Sequence, residues 1–245
     1  MVVGLAVGKR QSRPWIVSDE LWSLIEPLLP EPAPKQVEGR PRVPDRQALC
    51  GILFVLHTGI QWEYLPQELG FGSGMTCWRR LAAWNDAGVC DQLHAVLLKK
   101  LRVAKKLDWS RAVIDSSHVR AGSAGPKRGA SPVDRARPGS KHHLIVDGQG
   151  IPLAVSLTGG NRNDVTQLIP LLKKIPSVAG LVGRPRKRPD SLLGDRGYDH
   201  DKYRRLAWAL GIKPVIARER RDDIHEAFLG LAPCLITHRH VQRLC

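Results

Sequence analysis

Leu192-Leu193-Gly194-Asp195-Arg196-Gly197-Tyr198-Asp199 is a short apolar run that ends in a carboxylate, turns on a glycine and passes into a helical pattern. Far upstream, Ala112-Val113-Ile114-Asp115-Ser116-Ser117 sets a second aspartate on a second apolar run. An unpaired buried charge is costly, so buried strands seldom carry carboxylates. Two aspartates displayed on strands therefore point to a divalent metal site. If the two strands are neighbours, the carboxylates converge, and like charges raise one another's pKa unless a cation sits between them. Hard oxygen ligands of this kind suit Mg²⁺ or Mn²⁺. Two such ions about 4 Å apart activate a water or a 3′-hydroxyl and stabilise the leaving oxygen of a phosphoryl transfer. Each aspartate also has a plainer reading, Asp115 as the start of a turn and Asp195 as the cap of the following helix. The two together, set among basic loops, favour the metal.

Charge supplies the substrate class. Lys and Arg number 38 against 23 Asp and Glu, a formal net charge of +15 over 245 residues. Such an excess favours phosphate polyanions or an anionic membrane surface. The five cysteines, at 50, 77, 90, 234 and 245, form no CxxC pair. That argues against a disulfide framework and a structural zinc site, and fits a reducing compartment. Residues 2–7 are too short and weak a run for a signal segment, and no later run approaches the ~18 apolar residues of a membrane span. A cytoplasmic protein with no membrane partner is expected.

Upstream of Asp115 the chain reads as helices. Residues 18–29 carry Leu21, Trp22, Ile25, Leu28 and Leu29 at helical spacing behind Ser18 or Asp19 as cap. Residues 30–44 read as a Pro-rich, charged loop. Asp45 is expected to cap a second helix over 46–57 that Gly59 ends. Further helices are predicted over 75–85 and 89–101. In the third helix Trp78, Leu81 and Trp84 are expected to pack inward while Thr76, Arg79 and Arg80 face out. Behind the glycine break at 70–74, that face suits a DNA major groove. The plainer alternative is a packed helix with a solvated basic side.

Downstream of Trp109 the pattern changes to strands over 112–116, 143–146, 151–157, 191–194 and 212–217, with helices over 163–174 and 202–210. Asp147-Gly148-Gln149-Gly150 is a hairpin turn. Residues 120–141 contain almost no large apolar side chain and read as a long basic loop. Lys141 at its end, with Arg186 and Lys187 in the dense Arg184-Pro185-Arg186-Lys187-Arg188 loop, are candidate DNA contacts. His142 and His143 are adjacent on a strand, point to opposite faces and cannot share one ion. Asp164, Asp199 and Asp201 read as helix caps and Asp147 as a hairpin residue.

Several segments together carry a resemblance. Leu24-Ile25-Glu26-Pro27-Leu28-Leu29-Pro30 and Gly59-Ile60-Gln61-Trp62 lie in the first part. Ile114-Asp115-Ser116-Ser117-His118-Val119-Arg120-Ala121, Gly139-Ser140-Lys141-His142-His143, Leu157-Thr158-Gly159-Gly160-Asn161-Arg162-Asn163-Asp164 and Gly194-Asp195-Arg196-Gly197-Tyr198-Asp199 lie in the second. The whole chain resembles bacterial insertion-sequence transposases of the DDE class. The resemblance implies a helical, helix-turn-helix-like DNA-binding domain over 15–101 and a ribonuclease-H-like mixed α/β domain over 109–245. It implies cutting and joining of DNA at the terminal inverted repeats and at a target, by a homo-oligomer on DNA using Mg²⁺ or Mn²⁺. It makes Asp115 and Asp195 the first two catalytic, metal-binding carboxylates, on first and fourth strands that are neighbours.

The third carboxylate of that family is a Glu on a helix well after the fifth strand. Here Ile216-Ala217-Arg218 runs straight into Glu219-Arg220-Arg221-Asp222-Asp223-Ile224-His225-Glu226-Ala227-Phe228, which resembles the family's terminal segment. The helix bearing the Glu is missing, as after an internal deletion with both flanks kept, and the DDE domain is truncated. Glu219 and Glu226 are the nearby acidic residues, in surroundings like those of a packed terminal helix. Three outcomes stay open: a working transposase with a replacement ligand, a defective one that still binds DNA, and a poorly folded remnant. The second is expected.

Overall fold

The computed structural model describes residues 13–31, 41–120, 129–130 and 138–217. It divides into two compact units, Met1–Val96 and Leu97–Cys245.

The first unit is helical. α1 (Asp19–Ile25) begins at Ser18, whose side chain accepts from the Leu21 amide at 3.2 Å. It is shorter than the apolar stripe predicts, because Pro27 has no N–H to continue the ladder; a 3-10 turn, Glu26–Leu28, follows instead. α2 (Asp45–Thr58) ends at Gly59 in the left-handed conformation, φ 71°. Asp45 does not cap it. The preceding residue is Pro44, without a side-chain cap bond, and the Asp45 carboxylate is used elsewhere. α3 (Gly74–Asp86) is capped by Ser73, and α4 (Val89–Val103) follows, its residues from Leu97 onward belonging to the second unit. Ala48, Ile52, Val55, Cys77, Trp84 and Val89 form the core of this unit.

The second unit is built on one sheet. β1 (Ala112–Arg120), β3 (Pro138–Asp147) and β4 (Pro152–Gly159) pair antiparallel, while β5 (Ser191–Gly194) and β6 (Lys213–Ile216) add parallel to β1. The order is β4-β3-β1-β5-β6, with the two-residue β2 (Gly129–Ala130) paired to the start of β3. Leaving β2 aside, the first and fourth strands are neighbours, as the resemblance implies. α5 (Leu168–Lys174), preceded by the 3-10 turn Asp164–Gln167, and α6 (Asp201–Ala209) connect the strands.

The expected long loop over 120–141 is shorter than predicted. β1 runs on to Arg120 and β3 starts at Pro138, pairing Ser117 with His142 and Arg120 with Gly139. Ladder hydrogen bonds, which any side chain tolerates, extend these strands where no apolar alternation marks them.

Period-2 alternation sorts the sheet residues onto two faces. Ala112, Ile114, Ile145 and Leu192 pack with Leu168, Leu171, Leu172 and Ala207 in one buried core. The opposite face carries Asp115, with Leu144 and Val155 in register beside it. Leu144, Val155, Leu157 and Val215 remain 37–53% exposed there among the described residues.

Candidate active site and nucleic-acid interface

β1 and β5 are paired in parallel with Ala112 opposite Leu192 and Val113 opposite Leu193. Continued two residues past the last paired positions, that register sets Asp115 opposite Asp195, near enough for the Asp115 charge to act on the Asp195 carboxyl. The approach is close: a Cβ on Gly194 would meet Ile114 Cγ2 at 3.2 Å and Tyr198 Cβ at 3.4 Å. Asp195 keeps access to solvent. Desolvation holds its carboxyl above the usual carboxylate range, and the Asp115 carboxylate pushes it further; the Gly197 and Tyr198 amides pull the other way. Asp115 is exposed, and its Oδ1 accepts from the Ser116 amide at 2.7 Å.

Behind this pair lies a buried charged layer. Lys141, 6% exposed, donates to Asp164 and to the Arg162 carbonyl, each at 2.9 Å. His143 is fully buried, with Nε2 2.7 Å from Thr158 Oγ1 and Nδ1 3.8 Å from Asp164. Burial lowers the His143 pKa more than Asp164 raises it, so the ring is neutral at pH 7 and the Asp164 approach is not an ion pair. Tyr198 is 1% exposed and its phenol is pushed up, first by burial and then by Asp164, Asp195 and Asp115. Asp164 is thus part of the electrostatic environment of Asp195. Asn163, not Asp164, caps the following turn.

In the helical unit, a Cβ on Gly74 would fall 1.6 Å from the Trp62 carbonyl oxygen, so only glycine fits where α3 begins. Thr76 is half-buried and its hydroxyl lies 3.0 Å from Ser73 Oγ. Arg79, Met75 and Trp78 are exposed. Arg80 is buried against Asp45, with Nη2 3.2 Å from the Val43 carbonyl.

Residues 17–94 match the family model described as a putative transposase of the IS4/5 family, and residues 108–239 match the transposase DDE domain. The chain belongs to the insertion-sequence transposases with a DDE domain. An uncharacterized 16.2 kDa protein of insertion element IS402 from Burkholderia cepacia is 57% identical over 119 residues, covering 48% of this transposase and 81% of that protein. A putative transposase for insertion sequence element IS402, from the same organism, is 44% identical over 151 residues, covering 48% of this chain and 72% of that one. A solved piggyBac transposase synaptic complex with hairpin DNA aligns with 85% of this chain and 50% of its own, at 10% identity and a TM-score of 0.39.

The transposase places its expected residues unequally. Asp115 and Asp195 come together. Arg79 faces out as expected; Arg80 does not, because Asp45 neutralises its guanidinium inside the unit. Trp78 faces out although an inward position was expected. Lys141 is no surface cation but the buried partner of Asp164. Lys187 is exposed, whereas Arg186 is half-buried, pairs with Asp190 and lies 5.9 Å from the Trp109 ring centre. His142 is exposed and His143 buried, as opposite faces of β3 demand. Asp147 does serve the hairpin, accepting from the Gln149 and Ile151 amides. Asp199 is no simple cap, since it takes Arg204 Nε at 2.6 Å. Glu219 and Glu226 lie outside the described residues.

A carboxyl whose folded pKa is raised contributes stability below its unfolded pKa and loses it as pH rises through the folded one. Asp195→Asn should therefore melt above wild type at pH 7, with the gap closing toward pH 4. Equal melting curves at pH 7 would show that the ionised carboxylate carries no cost.

Proposed function

We propose that this transposase binds the terminal repeats of its insertion element as duplex DNA, holds a divalent cation between Asp115 and Asp195, and cuts DNA poorly. The carrying observation is the parallel β1–β5 pairing, which brings the two carboxylates together. Their donor set fits a hard cation: both are oxygen ligands, both are open to solvent, and Asp195 ionises reluctantly beside Asp115 until a positive charge relieves it. When bound, such an ion supplies Lewis acidity and an activated nucleophile for phosphoryl transfer. The chain's part is to orient the two carboxylates. The Ser116 amide fixes Asp115, and the Gly197 and Tyr198 amides favour the ionised form of Asp195.

One observation supports the impairment. The alignment with the putative IS402 transposase extends over 151 residues but takes up 48% of this 245-residue chain, about 118 residues. Some thirty residues of that alignment thus have no counterpart here, in keeping with an internal deletion.

DNA docking rests on the exposed Arg79 face of α3. Mn²⁺ should raise the melting temperature of wild type and leave Asp115→Asn and Asp195→Asn unmoved; equal shifts in all three would remove the metal from this site. Binding to a terminal-repeat duplex should weaken steeply with salt, each neutralised phosphate adding about −0.9 to the log–log slope. Arg79→Ala should cost about 1–3 kcal/mol on terminal-repeat DNA and less on random duplex if it reads bases. Equal losses on both would reduce it to a phosphate contact.

A further inference from the structure

We propose that Arg184 and Lys187 hold a backbone phosphate of the bound DNA in a pocket at the end of the sheet opposite Asp195. This rests on the DNA-binding reading above and adds a second, separate contact to it.

The pocket has a volume of about 420 Å³ and is lined by Ser177 and residues 184–188. Four of those six side chains are cationic. Two have work to do within the fold: Arg186 pairs with Asp190 beside Trp109, and Arg188 Nη1 donates to the Leu210 carbonyl at 2.7 Å. Arg184 and Lys187 are exposed and have no carboxylate partner among the described residues. Like charges crowded on one short segment repel, and an anion relieves that cost.

The segment is braced rather than slack. Val178 and Arg186 exchange backbone bonds at 2.8 and 2.9 Å. Arg102 on the last turn of α4 donates to the carbonyls of Val178 and Arg184. This bracing uses the backbone of residue 184, and among the described residues no carboxylate takes its guanidinium, so the cations are presented on a fixed frame. A guanidinium forks onto phosphate oxygens, and a lysine adds a point charge.

Position gives the pocket its meaning. The loop enters β5 at Ser191, and Asp195 leaves it after Gly194. A four-residue strand spans about 13 Å, close to four nucleotide steps along a strand of duplex DNA at 3.4 Å each. One phosphate therefore cannot sit at both places. The pocket would grip the duplex several nucleotides from any phosphate at the carboxylates, and binding there is separable from metal binding.

The test is a salt titration of terminal-repeat duplex binding by wild type and by R184A/K187A. The double variant should bind at least about tenfold more weakly at 0.15 M salt and lose about 1 from the log–log slope. Its melting temperature and its Mn²⁺-induced shift should match wild type. A methylphosphonate placed about four nucleotides from the cut position should weaken wild type and leave the variant indifferent. If wild type binds DNA and the variant binds equally well, the pocket is not a DNA contact while the DNA-binding reading stands. If wild type binds no DNA, both fall. Loss of binding to anionic vesicles with DNA binding intact would assign the pocket to a lipid surface instead and overturn the inference.

Discussion

Incubated with Mg²⁺ or Mn²⁺, a duplex carrying the element's terminal repeat should be bound by this transposase and recovered uncut. Asp115 and Asp195 are brought together by the β1–β5 pairing, but two carboxylates are a partial donor set for two-metal phosphoryl transfer. Catalytic groups that act as a unit fail as a unit, and losing one member costs on the order of 10³-fold or more. The rate should therefore lie at least about a thousandfold below that of an intact relative under the same conditions. Asp115→Ala should lower it little further, because on the proposed reading the unit lacks a member before the substitution is made. Efficient nicking that disappears in both Asp115→Ala and Glu226→Ala would reverse this conclusion and make Glu226 the replacement ligand.

Lys141→Met should lower the melting temperature by roughly 6–12 °C, from a loss of about 3 kcal/mol at 2–4 °C per kcal/mol for a chain of this size. Removing one partner of a buried ion pair strands the other charge, and here it also removes the bond to the Arg162 carbonyl. The estimate sits at the lower end of the range for buried pairs because the Asp164 side chain keeps 27% exposure. Asp164→Asn should be worse, since it strands an ammonium that is only 7% exposed. The double variant Lys141→Met with Asp164→Asn should recover most of the loss. A single variant that melts with wild type would show that the pair contributes nothing. Below its melting point Lys141→Met should bind DNA as wild type does, because the ammonium does not reach the surface.

The elements that were legible in the sequence are those with a local signal. β5 matches its predicted span because an apolar run and a glycine bound it on the chain itself, and Ser18 and Gly59 mark helix ends by side-chain and backbone preference. What stayed hidden is long-range pairing of charges. Arg80 finds Asp45, and Lys141 finds Asp164, across 35 and 23 residues. A charged side chain without a known partner defaults to solvent, so the sequence alone reads both cations as DNA contacts and both aspartates as caps. Trp78 fails differently. Helical spacing places it near Leu81 but does not set where the buried stripe ends, and α3 turns it outward at 49% exposure. Asp115 and Asp195 could be paired only by supposing their strands adjacent, since nothing in either segment states its neighbour.

The five main strands are all in place before Ala217. On the reading proposed above, a loss beyond that point would fall on the chemistry and spare the sheet. A protein of that kind would occupy element ends without cutting them, and would slow an intact sibling in proportion to its own abundance.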